Sequence, residues 1–255
     1  MGRAAARSKA RGASGAGPGP GRGDGPVRRA VIILAILAGI AGLAALGSRR
    51  LPPEWDPRTP LDLRAEPNAL TPWKLARLKG EPEACRAVFA ASGVSVAPVP
   101  DRPLDGGCGL EGAVVLPAGP RMAPASPVAS CPLAAAWALF ERHTLQSAAR
   151  RHFGVPVRSV RHLGTYACRN VDHRPAGRRS EHATANAIDV SGFVLADGRE
   201  VSLARHWSGA GPEAAFLREV RDGACRWFRA VLGPDHNAEH RDHFHLDRGA
   251  WNACR

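Results

Sequence analysis

The run Glu239-His240-Arg241-Asp242-His243-Phe244-His245-Leu246-Asp247 gathers three histidines and three carboxylates into nine residues, in a chain whose ten histidines all lie after residue 142. In a β-strand, residues two apart point to the same face, so His243 and His245 share one side while Phe244 packs on the other. Two imidazoles on one face suit a metal ion, and zinc above all, because neutral imidazole nitrogen is a preferred zinc ligand. His240 is then placed to act as a base beside the metal rather than on it. Alternation with Phe244 and Leu246 predicts a half-buried strand, not a solvated histidine-rich tract.

A catalytic zinc site needs three protein ligands and an open position. The segment Ser180-Glu181-His182-Ala183-Thr184-Ala185-Asn186-Ala187-Ile188-Asp189 offers the missing donors in His182 and Asp189. Ala187 to Phe193 reads as a strand with Asp189 facing away from Ile188. Spacing alone does not select this pair, since His240 and Asp247 are also separated by six residues. Context selects it.

Ser180-x-His182-x4-Ala187-x-Asp189 followed by His240-x-x-His243-x-His245 resembles the zinc peptidases that cut peptidoglycan stem peptides. These are the D-alanyl-D-alanine carboxypeptidases and dipeptidases and the penicillin-insensitive murein endopeptidase. Closer still is the likeness to the bacterial extensin-like C-terminal family. It is carried by Thr165-Tyr166-Ala167-Cys168-Arg169, the Ser180 to Asp189 run, Gly192 to Gly198, and Val231-Leu232-Gly233-Pro234 ahead of the histidines. The match covers residues 81 to 255.

That resemblance implies zinc held by His182, Asp189 and His245, with His240 and His243 flanking the open position. It also implies amide hydrolysis, with one of these two histidines moving the proton. Where carboxypeptidases of this fold have a catalytic glutamate, this chain has Asp242, which on a regular strand faces away and so suits fixing a histidine tautomer. Arg169 offers a bidentate fork for a substrate carboxylate or a developing oxyanion. Tyr166, the one tyrosine, reads as structural. Ala185 stands where the peptidase pattern usually has Gly, and a positive φ in that turn is expected to fall on Asn186. The same architecture also serves in binding domains without catalysis, so a zinc-binding, catalytically inactive wall- or protein-binding module is the alternative. A structural envelope factor is a third class.

These residues need a sheet and helices to position them. Strands are expected near 155–167, 186–195, 199–204 and 242–247, with Asp197-Gly198 turning a hairpin. One helix is expected from Pro132 to Phe153, stopped by Gly154 and Pro156. Another is expected from Pro212 to Leu232, ended by Gly233-Pro234. The expected fold is α+β, an antiparallel sheet with flanking helices like that of hedgehog and DD-peptidase domains, preceded by one transmembrane helix.

Residues 1–29 are rich in Gly, Ala, Arg and Pro and are expected to be a disordered basic cytoplasmic tail. Ala30 to Gly47 carries no charge. As a helix it spans about 27 Å, enough to cross the hydrocarbon layer. Seven basic residues against one acidic residue precede it, which predicts an inner-membrane, single-pass anchor with the C-terminal domain in the periplasm. A signal peptide cleaved after Ala45-Leu46-Gly47 is the competing reading. Residues 48–80 carry prolines at 52, 53, 57, 60, 67 and 72 and are expected to form a stiff spacer that docks at its end.

The formal charge of +12 is concentrated in the first 50 residues, which hold nine basic residues and one acidic. The rest is nearly balanced, so the charge does not argue for a nucleic-acid partner. No P-loop, dinucleotide fingerprint or Gly-x-Ser-x-Gly elbow is present. All six cysteines follow the apolar segment without Cys-x-x-Cys spacing, which predicts disulfides in an exported domain. The expected pairs are Cys85 with Cys108, Cys131 with Cys254, and Cys168 with Cys225.

Overall fold

The computed structural model describes residues 26–48, 51–117 and 119–255, which fall into two units divided after residue 50. Among its described residues the first unit has one helix, α1 (Pro26–Ser48). Its span Pro26–Gly47, of mean hydropathy 2.6, is long and apolar enough to cross a membrane, a test that a signal sequence also passes. It begins four residues before the uncharged stretch, because Pro26 suits a first helical position. Most of the expected disordered tail lies outside the described residues.

The second unit, Leu51–Arg255, begins before the expected domain boundary at residue 81. Leu61, Leu63, Leu75 and Leu78 of the proline-rich segment are buried in the main core. Lys74 of the same segment is buried too, and its ammonium donates to the Pro53 carbonyl and to Thr59 Oγ1. The segment is therefore tied to the domain along its length.

The helices of this unit are α2 (Thr71–Ala76), α3 (Pro82–Ala91), α4 (Cys131–Phe140), α5 (Gln146–Phe153), α6 (Leu203–His206) and α7 (Pro212–Ala224). Its strands are β1 (Arg102–Asp105), β2 (Cys108–Leu110), β3 (Ala113–Val115), β4 (Arg121–Ala123), β5 (Val128–Ser130) and β6 (Val157–Gly164). They continue with β7 (Ala187–Leu195), β8 (Glu200–Ser202), β9 (Ala230–Leu232), β10 (Phe244–Asp247) and β11 (Ala253–Cys254). The main sheet has the order β11-β9-β10-β7-β6-β4, with β8 added to β7. β1 pairs with β2 and β3 with β5 in two small sheets.

The α+β class is as expected, but the main sheet is mixed rather than antiparallel. Its centre is antiparallel, while β4 pairs parallel to β6 and β11 parallel to β9. Parallel pairing needs a crossover, and the chain between β4 and β6 supplies one through α4 and α5. The Asp197-Gly198 turn joins β7 to β8, with Gly198 at a φ of +90° that favours glycine.

Residues 131–153 form α4 and α5 joined by a π-helical turn over Glu141–Leu145, and Gly154 closes α5 in the left-handed conformation. Trp137, Phe140, Phe193, Phe216 and Phe228 pack the core between these helices and the sheet. The expected helix to Leu232 is a correction. α7 stops at Ala224, Trp227 and Phe228 turn into the core, and Ala230–Leu232 becomes the strand that pairs with β10. A short apolar run reads equally as a helix end or a buried strand, and pairing with β10 decides between them.

All three expected cysteine pairings are corrected as well. The bridges are Cys85–Cys131, Cys108–Cys168 and Cys225–Cys254, with Cα separations of 6.0, 5.5 and 5.8 Å. Pairing follows spatial approach, and the packing of α3 on α4 and of the C-terminus on β9 is not encoded in cysteine spacing.

Candidate metal centre

Two turns of chain bring the donors together. Ser180 accepts from the His182 N–H at the start of a 3-10 turn over Glu181–Thr184, which points the His182 ring inward. The turn ends at Ala185, with φ at +51°. The left-handed residue is thus Ala185 and not Asn186, as the sequence had led us to expect. Asn186 is committed elsewhere: it accepts from Ser130 Oγ at 2.7 Å and donates to Glu181 Oε2 at 2.8 Å. β7 then carries Asp189 to the same spot.

The other half comes from β10. His245 lies directly across from Asp189, while Phe244 and Leu246 face Val190 and Ile188 in the core. The period of two therefore puts His243, His245 and Asp247 on the cleft side. His182 Nε2 is 3.2 Å from Asp189 Oδ1 and 3.1 Å from His245 Nδ1, and His245 Nδ1 is 3.1 Å from Asp189 Oδ1.

Two imidazoles and a carboxylate form a donor set that accepts zinc and other divalent ions. Donors at tetrahedral positions about 2.0–2.1 Å from a zinc ion lie about 3.3 Å from one another, close to the separations found. The outward nitrogens are also engaged. His182 Nδ1 donates to the Thr165 carbonyl at 3.0 Å, and His245 Nε2 donates to Asp247 Oδ2 at 3.1 Å. Each ring is therefore held with its other nitrogen turned to the shared space, and the residues fit a metal.

The charges follow from burial and pairing. Burial works to raise the Asp189 pKa, but hydrogen bonds from His182 and His245 and their charges outweigh it and hold the carboxyl well below the usual range. Burial likewise disfavours the His245 cation. Its hydrogen bonds to Asp189 and Asp247 outweigh that and raise its pKa to about 9. His240 has no carboxylate so close, and burial, with His245 and His243 nearby, pushes it down to about 4.

The site lies at the bottom of a cleft of about 320 Å³ that Arg169, His240 and His243 also line. His243 Nδ1 donates to Asp242 Oδ1 at 2.9 Å, which leaves Nε2 turned inward, 3.7 Å from Asp189 Oδ1. His240 Nδ1 donates to Asn237 Oδ1 at 2.7 Å, and its ring centroid is 5.8 Å from that of His245. Among the described residues the Arg169 guanidinium has no acidic partner, so it is open to an anionic group in the cleft. Arg169 is placed by the neighbouring Cys108–Cys168 bridge. Tyr166 lies outside the lining, under the Arg102 guanidinium.

Sequence reasoning missed four contributors: Thr165 as acceptor, Asp247 as partner of His245, Asn237 as partner of His240, and Trp251 on the rim. Asp247 was findable, two residues after His245 on the same strand face. Asn237 was findable too, as an Asn capping the short turn that carries His240 three residues on. Trp251 was not, because only the fold brings it to the cleft.

No curated protein and no solved structure matches the chain. Residues 83–255 match the family described as Extensin-like protein C-terminus. With that match covering most of the chain and all the residues of the cleft, the protein belongs to the extensin-like C-terminus family.

Proposed function

We propose that this protein is a zinc-dependent peptidase that hydrolyses an amide bond in peptidoglycan stem peptides, with His182, Asp189 and His245 as the metal ligands. The observation that carries the reading is the convergence of these three side chains, from separate elements, with their donor atoms within 4.8 Å of one another. The likeness of the motif to the zinc peptidases that cut peptidoglycan stem peptides supports the substrate class. The apolar helix α1, with basic residues before it, and the three disulfides support an inner-membrane anchor and a periplasmic domain.

When bound at such a trio, zinc supplies Lewis-acid chemistry, acidifying coordinated water and polarising a carbonyl. His243 receives the proton at Nε2, because its Nδ1 proton is held on Asp242, and later returns it to the leaving amine. His240, with its Nδ1 proton held on Asn237, also presents Nε2 to the cleft and assists that transfer. Arg169 binds the substrate carboxylate or the oxyanion.

The alternative, a zinc-binding module without catalysis, has one observation in its favour: Asp242, which stands where the carboxypeptidases have their catalytic glutamate, is bound to His243 and not free to act as a base. Digestion of purified peptidoglycan by the detergent-solubilised full-length chain, with mass analysis of the products, separates the two. Release of a defined peptide fragment that stops on chelation and returns with zinc is expected. Binding to the sacculus without any released fragment would replace the peptidase reading with the module.

A further inference from the structure

Asp247 sits two residues after His245 and is buried, 6% exposed. Its cross-strand neighbours are Ala187 on β7 and Ala230 on β9, both too small to reach it. Its two oxygens are divided. Oδ1 accepts from the Gly249 N–H at 2.9 Å, and Oδ2 accepts from His245 Nε2 at 3.1 Å. Among the described residues, its one ion-pair partner is His245. A carboxylate this buried is costly unless it is paired, so the fold retains it for one or both of these contacts.

We propose that Asp247 is a positioning residue for His245: its carboxylate holds the imidazole proton on Nε2 and so keeps Nδ1 open toward Asp189 and His182. This rests on the zinc reading above. The competing role is a turn-former, since an aspartate accepting from the N–H two residues on closes a local turn. The two roles part company in Asp247→Asn. The amide oxygen can stay on the Gly249 N–H and preserve the turn. The amide NH2 then faces His245 Nε2, which must accept. A neutral His245 therefore carries its proton on Nδ1, the atom that would face the metal.

The test uses the full-length chain in detergent, with zinc affinity measured by competition against a chromophoric chelator. Asp247→Asn is expected to weaken zinc binding 10- to 100-fold, the usual loss for removing the partner of a metal-bound histidine. Nitrogen NMR of His245 should show the proton on Nε2 in the zinc-loaded wild type and on Nδ1 in the metal-free variant with His245 neutral. Should the variant not fold, the wild-type spectrum decides alone, and a zinc-loaded His245 without a proton on Nε2 overturns the proposal. Zinc binding of equal strength in wild type and Asp247→Asn overturns it while leaving the zinc reading standing. A wild type that binds no zinc overturns both.

Discussion

On the wall of the cleft built from Thr165 to Asp189, the outer nitrogen of His182 is held by a backbone carbonyl, whereas on the wall from Leu232 to Trp251 that of His245 is held by a side chain. A carbonyl cannot be removed by substitution, because every residue carries one. A carboxylate can. The first wall is also braced by the Cys108–Cys168 bridge and by the Arg179 side chain, which donates to the Gly106 carbonyl at 2.7 Å. The second wall depends on β-pairing and on Cys225–Cys254, which ties the C-terminal strand back to the end of α7. The first wall thus makes its ligand geometry a property of the backbone, and the second leaves it open to single substitutions.

The contrast breaks most severely where the donors themselves are lost. His182→Ala should abolish stoichiometric zinc, read by metal analysis of the dialysed protein, and leave a folded domain, because the ring lies beside the cleft and not in the main core. Zinc retained in full by this variant would show that the trio is not the ligand set. Next come the histidines beside the trio. His243→Ala and His240→Ala should each keep zinc, and the larger loss of turnover, about 100-fold or more for removing a general base, should fall on His243. Asp242→Asn should cost less than His243→Ala. Loss of zinc in His240→Ala would make it a ligand instead.

A third effect is in stability. Without metal, His245 has its pKa raised to about 9, against an ordinary value near 6.5, so the fold favours its protonated form. That contribution is fully present below about pH 6.5 and is lost as the pH rises through about 9. Asp189 works at the other end, its contribution being lost only in strong acid. In chelator, the advantage in melting temperature of wild type over His245→Gln should narrow between pH 7 and pH 10. An advantage that grows over that range would contradict the pairing of His245 with Asp189 and Asp247.

The smallest effect sharpens the comparison. Thr165→Val removes the hydroxyl that donates to the Val128 carbonyl and should cost about 1 kcal/mol of stability, the worth of one hydrogen bond. The carbonyl that holds His182 stays, so zinc affinity should match the wild type. A tenfold loss would mean that the first wall also depends on its side chains.

Much of this was legible in the chain. The period of two in His243-Phe244-His245-Leu246 marked a half-buried strand with its imidazoles on one side, because strand geometry is local. The strand around Asp189, the hairpin at Asp197-Gly198 and the apolar helix before the domain were readable for the same reason. What distant segments settle between them was not readable. Cysteine spacing is compatible with fifteen pairings, and only the packing of α3 on α4 and of the C-terminus on β9 selects three bridges. The strand Ala230–Leu232 looked like the end of a helix until β10 offered it hydrogen bonds. The left-handed turn fell on Ala185 because Ser130 and Glu181, from two other positions, had already engaged Asn186. The residue types and local periods determined which side chains could do chemistry. The tertiary structure decided that His245 meets His182 and Asp189 at all and that the outer nitrogen of His182 falls on the Thr165 carbonyl, because these contacts join residues 17 to 63 positions apart that only the sheet brings together.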